Sequence, residues 1–218
     1  MKALLTGASR GIGRDIKELL EKRGFTVLAP SRREMNLSSP KSIQSYVKNL
    51  SQIDILINCA GINNLASIAE MNCEQIEEML RVNLISAMLL IKAVTPGMKE
   101  QKWGRIVNFS SIWSGFSKER RIMYSVAKAG VDGLTRAAAV ELAPYNILVN
   151  SVAPGFVNTE MTSQNNTPDQ IKALAEALPI KRLAEPEEIA ELVYFLVSEQ
   201  NSFMTGQTLY IDGGFSCI

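Results

Sequence analysis

The chain has 218 residues, 46% of them apolar and 21% charged, with a formal net charge of +1. This is an ordinary globular mixture sized for one domain, without the global field that would draw nucleic acid or an anionic membrane. There is no histidine, which excludes Ser-His-Asp and Cys-His catalysis and His-ligated zinc, so acid–base work falls to Tyr, Lys, Asp or Glu.

Short apolar strands alternate with helical patterns along the chain, which predicts a doubly wound parallel α/β sheet with helices on both faces. Lys2–Leu5 reads as the first strand. Gly11–Arg23 is a helix with an apolar stripe at Ile12, Ile16, Leu19 and Leu20, stopped by Gly24. Thr26–Ala29 is the second strand. Only five residues separate Ala29 from Met35, whereas a parallel crossover needs a dozen or more. The third strand, Met35–Leu37, and its preceding helix are therefore expected to be reduced or absent.

Ser39-Pro40 opens a short helix to about Leu50, and Ile53–Asn58 is a buried strand. Asn72 with Gln75 resembles a capping box that starts one long helix toward Lys99. Arg105–Phe109 and Ile147–Val152 are strands, with a helix from Met123 to Ala143 between them. Thr167-Pro168 and Glu185-Pro186 start helices, and Thr208–Ile211 is the last strand. One domain over residues 1–218 is expected. Met1 to Leu5 lead straight into a glycine motif with no leader pattern, and the longest apolar runs fall far short of a membrane span. Cys59, Cys73 and Cys217 are odd in number and widely spaced, which reads as buried free thiols in a reducing cytoplasm.

Two motifs carry chemistry. Thr6-Gly7-Ala8-Ser9-Arg10-Gly11-Ile12-Gly13 lies between a strand and a helix. Glycines there permit a tight turn and close approach of backbone to a pyrophosphate, which the helix amino terminus attracts. Gly7, Ser9, Arg10, Gly11, Ile12 and Gly13 are therefore candidate dinucleotide ligands. A plain strand–helix turn is the competing reading of glycine spacing alone.

The second motif is Tyr124-Ser125-Val126-Ala127-Lys128, with phenol and ammonium one helical turn apart. Bringing a phenol from about 10 to about 7 takes roughly 4 kcal/mol. An ammonium about 4 Å away at an effective dielectric near 20 supplies roughly that much. The alternative is a surface tyrosine stacked on a lysine stem. Ser111 follows the strand Arg105–Phe109, at the carboxyl edge where ligands bind. Ser110 is the competing choice and should point the other way by strand alternation. Strand two ends in Ala29-Pro30-Ser31-Arg32-Arg33 with no acid. That favours an NADP 2′-phosphate on Ser31, Arg32 and Arg10 over an NAD ribose. Glu34 sits where a simple count places the NAD carboxylate.

Taken together these residues resemble the short-chain dehydrogenase/reductase family, most closely its 3-oxoacyl-acyl-carrier-protein reductases. The resemblance covers nearly the whole chain. It includes the glycine motif, Asn58-Cys59-Ala60-Gly61, Val82-Asn83, Ser111, Tyr124-x-x-x-Lys128, Asn150, Pro154-Gly155 with Thr159, and Ile211-Asp212-Gly213-Gly214.

The resemblance implies a single-domain Rossmann fold and an NADP(H)-dependent oxidoreductase interconverting a ketone and a secondary alcohol. Tyr124 would be the general acid/base, Lys128 would lower its pKa and bind the nicotinamide ribose, Ser111 would polarise the carbonyl, and Asn83 would hold a relay water. Asn36, standing where the family has Asp, with Leu37, Asn58, Ala60, Gly61, Pro154, Gly155, Val157 and Thr159, would complete the cofactor contacts. A substrate lid would span about 161–182, and the oligomer would be a homotetramer or homodimer pairing the two long helices. Tyr145 and Asn146 stand where these reductases have a basic residue and glycine, a departure at the position that would dock a carrier protein. Two alternatives stay open. Lys118, Arg120 and Arg121 could meet a keto-sugar nucleotide or related anionic carbonyl compound, or the chain could bind a dinucleotide for regulation without turnover.

Overall fold

A computed structural model describes all 218 residues. Its strands are β1 (Lys2–Thr6), β2 (Thr26–Leu28), β3 (Ile55–Asn58), β4 (Gly104–Phe109), β5 (Ile147–Pro154) and β6 (Thr208–Ile211). They form one sheet in the order β2-β1-β3-β4-β5-β6, every pair parallel. The order reverses between β1 and β3, so a crevice opens at their carboxyl ends, where ligands bind in open α/β sheets.

Two layers of helix cover the sheet. α1 (Gly11–Lys22) packs against α8 (Pro186–Val197) on one face, burying Ile16, Leu20, Val193 and Leu196. The other face carries α2 (Pro40–Val47), α4 (Ser86–Gln101) and α5 (Ile122–Leu142), with Ile43, Leu90, Val94 and Met98 in its core. Each such side chain contributes about 1.5–3 kcal/mol by leaving water.

α3 (Cys73–Leu80) runs into α4 through a π-helical turn at Arg81–Ile85. The expected single long helix is thus interrupted, and Asn83 lies on the extra turn. The run Cys73–Gln101 is long and apolar enough to span a bilayer by composition; here Leu90, Val94 and Met98 are buried in the core. The capping box at its start is half formed. The Asn72 side chain accepts from the Gln75 backbone at 2.9 Å, but the Gln75 side-chain oxygen has no partner.

No strand forms at Met35–Leu37. Glu34 N–H and Met35 N–H both bond Ser31 O, at 3.1 and 2.9 Å, and the chain turns directly toward α2. Buried Met35 plugs this turn, and the Ser39 side chain caps α2 by accepting from Ser42 N–H. Between β5 and α8 lie α6 (Glu160–Asn165) and α7 (Pro168–Ala177), the latter opened by a full capping box of Thr167 and Gln170. α6 has no counterpart in the sequence reading. The three cysteines are free, as expected, but only Cys59 is partly buried; Cys73 and Cys217 are exposed.

Candidate active site

At the carboxyl edge of the sheet a cleft of about 320 Å³ is walled by the β1–α1 loop, the ends of β3, β4 and β5, the first turns of α5, and α6. It collects Gly7, Ser9, Arg10, Gly11, Ile12 and Gly13 with Ala60 and Gly61. It also collects Ser111, Tyr124 and Lys128, and Pro154, Gly155, Val157 and Thr159. Residues far apart in sequence thus meet in one cleft.

The glycines are held by close packing. Gly7 has φ +78, and a Cβ there would lie 2.8 Å from the Ala60 backbone. Thr6 Oγ1 accepts the Ala60 N–H at 3.1 Å, locking the end of β1 to the end of β3. A Cβ on Gly61 would meet Asn83 Oδ1 at 2.7 Å.

Not every expected residue lines the cleft. Asn83 lies behind it, buried, its amide clamping Ile62 N–H and O at 3.1 and 3.0 Å. Asn58 is buried at its base and donates to Asn108 Oδ1 at 2.8 Å; Asn108 in turn donates to Thr135. Ser31 and Arg32 lie exposed beyond the end of β2. Leu37 packs against the core, and Asn36 accepts from Ser38. Arg10 is engaged by Glu160 of α6 at 2.9 Å. Asn150 anchors β6: its amide donates to Met204 O and accepts Gln207 N–H.

Ser110 and Ser111 both reach the cleft. Alternation alone would have turned Ser110 away, but its hydroxyl donates to Lys128 O, so it braces α5. Ser111 Oγ accepts Trp113 N–H at 3.3 Å and also hydrogen-bonds Tyr124. Cys59, Glu160, Met161 and Thr162 line the cleft as well. The sequence singled out none of them as site residues; Cys59 lies inside a recognised motif and Met161 and Thr162 inside the expected lid, and nothing in spacing alone marks Glu160.

The electrostatics differ from the simple pairing of phenol and ammonium. Burial pushes the Tyr124 hydroxyl above its ordinary value, while the Ser111 hydrogen bond and the positive charge of Arg121 pull it back. Lys128 does not acidify it in this structure. Its ammonium lies 5.5 Å from the centroid of the Tyr124 ring, over the face, and donates to Phe109 O. Burial pulls Lys128 itself down to about 8 and pushes the Cys59 thiol up to about 12, making it a poor nucleophile.

The family model described as enoyl-(acyl carrier protein) reductase matches residues 33–216. A 3-oxoacyl-acyl-carrier-protein reductase of Vibrio cholerae is 37% identical over 238 aligned positions, covering 99% of this chain and 97% of that one. The chain belongs to the short-chain dehydrogenase/reductase family. A solved member of that family superposes with a TM-score of 0.93 at 30% identity, covering 100% of this chain and 98% of the other. A 4-hydroxyisoleucine dehydrogenase complexed with NADH superposes with a TM-score of 0.95 at 26% identity, over 100% and 99% of the two chains.

The cleft of this short-chain dehydrogenase/reductase fits a nicotinamide dinucleotide on its own geometry. α1 starts at Gly11 with no side-chain cap and no acidic residue in its first turn, which leaves its amide donors for a phosphate. The Gly7 and Gly13 positions admit no Cβ, so backbone alone faces the cleft.

The buried lysine makes stability depend on pH. Its proton is released near 8 in the folded chain against an ordinary 10.5. The unfolded chain therefore holds more protons between these values, and stability rises with pH there. Below 8 the buried charge costs about 3 kcal/mol. Relative to wild type, Lys128→Met should lose about 5 °C of melting temperature between pH 7 and pH 10, because only wild type gains over that range. Thermal melts at both pH values check this; a pH-independent difference would remove the buried ammonium from the account.

Proposed function

We propose that the chain is an NADP(H)-dependent oxidoreductase that interconverts a ketone and a secondary alcohol, with Tyr124 as general acid/base. The observation that carries this reading is the convergence of Tyr124, Ser111 and Lys128 on one cleft with the glycine loop. When bound, the nicotinamide dinucleotide supplies or accepts the hydride. Ser111 donates a hydrogen bond to the carbonyl oxygen and so stabilises the negative charge that develops there. Tyr124, kept protonated by burial, gives that oxygen its proton in reduction and takes it back in oxidation. Lys128 fixes the ring from beneath and holds the ribose hydroxyls, and Asn83, on its π-helical turn, relays protons toward solvent. π-Helical turns concentrate at functional sites.

Charge supports NADP(H) over NAD(H). The acid that a simple count assigns to an NAD ribose, Glu34, is turned back to accept Ser31 N–H at 2.7 Å. Arg32 and Arg33 are exposed and make no ion pair, so both are available to a 2′-phosphate. Arg32→Asp is expected to shift the ratio of kcat/KM for NADPH over NADH at least about tenfold toward NADH; an unchanged ratio counts against this assignment.

3-Oxoacyl thioesters are the first substrates to test, given the Vibrio cholerae relative. The decisive assay follows NADPH oxidation with butane-2,3-dione and acetoacetyl thioesters; absence of turnover with every carbonyl offered would leave only the dinucleotide-binding reading. The segment 161–182 acts as the substrate lid, and the Arg10–Glu160 ion pair just before it ties its start to the glycine loop. The exposed apolar residues Met88 on α4 and Val126 and Val140 on α5 support pairing of these helices between copies in a homo-oligomer.

A further inference from the structure

Arg121 is an unused cation at the edge of this site. It precedes the first residue of α5 and stands three residues before Tyr124, one turn away on the same face. Its guanidinium carbon lies 5.1 Å from the centroid of the Trp113 ring. Trp113 is 8% exposed, wedged against Phe156 and Phe215 at 6.1 and 6.0 Å, and its backbone N–H donates to Ser111 Oγ. The guanidinium therefore rests on a rigid platform that is continuous with the carbonyl-binding serine.

No carboxylate reaches Arg121. It makes no ion pair, and its neighbour Arg120 takes Glu70 at 3.1 Å. The first turn of α5 contains no acidic residue. The titratable group that does face Arg121 is the Tyr124 hydroxyl, neutral while protonated, and burial disfavours the charged guanidinium. A half-buried guanidinium without an internal anion is costly to hold unless a ligand completes it.

We infer that Arg121 reads the substrate: it binds an oxyanion, a carboxylate or phosphate, carried by the molecule whose carbonyl meets Ser111 and Tyr124. This inference rests on the reading of Tyr124 as the proton donor and narrows its substrate class. A planar guanidinium stacked on an indole presents a fork that matches either oxyanion with two bonds. An uncharged acyl chain beside the reacting carbonyl would leave this fork unfilled, so the preferred substrates are keto acids or keto phosphates rather than plain 3-oxoacyl chains.

Two readouts test it on the full-length protein. The first is tryptophan fluorescence, titrated with pyruvate, acetoacetate, levulinate and dihydroxyacetone phosphate, each against its neutral counterpart (the methyl ester or dihydroxyacetone). At least one anion should give a saturable change that its neutral counterpart lacks. Trp113→Phe should abolish that change, which separates it from Trp103. Arg121→Gln should abolish it too, and Arg121→Lys should restore part of it.

The second readout is the ratio of kcat/KM for acid over ester. The ratio cancels any effect of Arg121 on Tyr124 common to both substrates. It should exceed about ten in wild type and fall toward one in Arg121→Gln, the loss residing in KM. The inference is overturned if no anion perturbs Trp113, if Arg121→Gln keeps the response, or if the ratio is the same in both proteins. Should neither the acids, the esters nor butane-2,3-dione turn over, the oxidoreductase assignment fails, and the fluorescence titration still decides whether Arg121 holds an oxyanion.

Discussion

Tyr124→Phe is expected to lower kcat for carbonyl reduction by about a thousandfold, with dinucleotide affinity falling far less. The ring still fills its place over the Lys128 ammonium, so packing survives. What disappears is the hydroxyl that Ser111 contacts, and with it the proton that the nascent alkoxide needs. Stopped-flow reduction assays and calorimetric titration of the cofactor separate the two effects. Equal losses in both would make Tyr124 a binding residue only.

The pH dependence of the wild type sharpens this result. Burial holds the phenol above its ordinary 10.0, so it stays protonated through the physiological range. Reduction, which consumes that proton, should therefore be flat from about pH 6 to 9. Oxidation needs the phenolate and should climb through pH 10 without a plateau. A plateau near neutrality in the oxidative direction would instead mean that an ammonium acidifies the phenol strongly, the pairing that the i, i+4 spacing by itself suggests.

Gly7→Ala should be the most damaging substitution in the glycine loop away from the helix. The position has φ +78, and the new Cβ would meet Ala60 N and Cα at 2.8 Å. Left-handed backbone costs a non-glycine residue about 1–2 kcal/mol, and overpacking against a backbone that cannot yield adds about 1–3 kcal/mol. The melting temperature should fall by about 5–15 °C, and dinucleotide affinity by more than tenfold, because the β1 and β3 ends part where the pyrophosphate would lie. Gly24→Ala is the internal control. It shares the strained backbone, φ +84, but nothing lies within 4 Å of its Cβ, so it should cost only about 1 kcal/mol and leave cofactor binding intact. Similar losses in both variants would mean that strain alone, and not the approach of Ala60, governs the loop.

What a sequence makes legible depends on range. Strand and helix positions were legible because they follow from local periodicity and punctuation. Thr208–Ile211 matches its expected bounds, and the others shift by a few residues at their ends, as β5 does in running on to Pro154. The missing third strand was legible too, since five residues cannot cross over a sheet. The π-helical turn at Arg81–Ile85 was not, because Asn83 on that turn is held by Ile62 N–H and O from a segment 21 residues away. The surroundings of Tyr124 were also out of reach of spacing. Whether an ammonium faces the hydroxyl or the ring depends on the Phe109 carbonyl that captures it from β4.

The amino-acid order alone determined the parallel α/β architecture, the glycine loop, and which tyrosine, lysine and serine belong together. These rest on short-range geometry: a turn that only glycine makes, and side chains one helical turn apart. Tertiary structure decided what each group experiences. It buried Lys128, turned Glu34 away from the end of β2, tied Arg10 to Glu160, and left Arg121 stacked on Trp113 without a counter-charge. Desolvation and pairing are set by neighbours arriving from distant segments, and no local pattern encodes which neighbours those are.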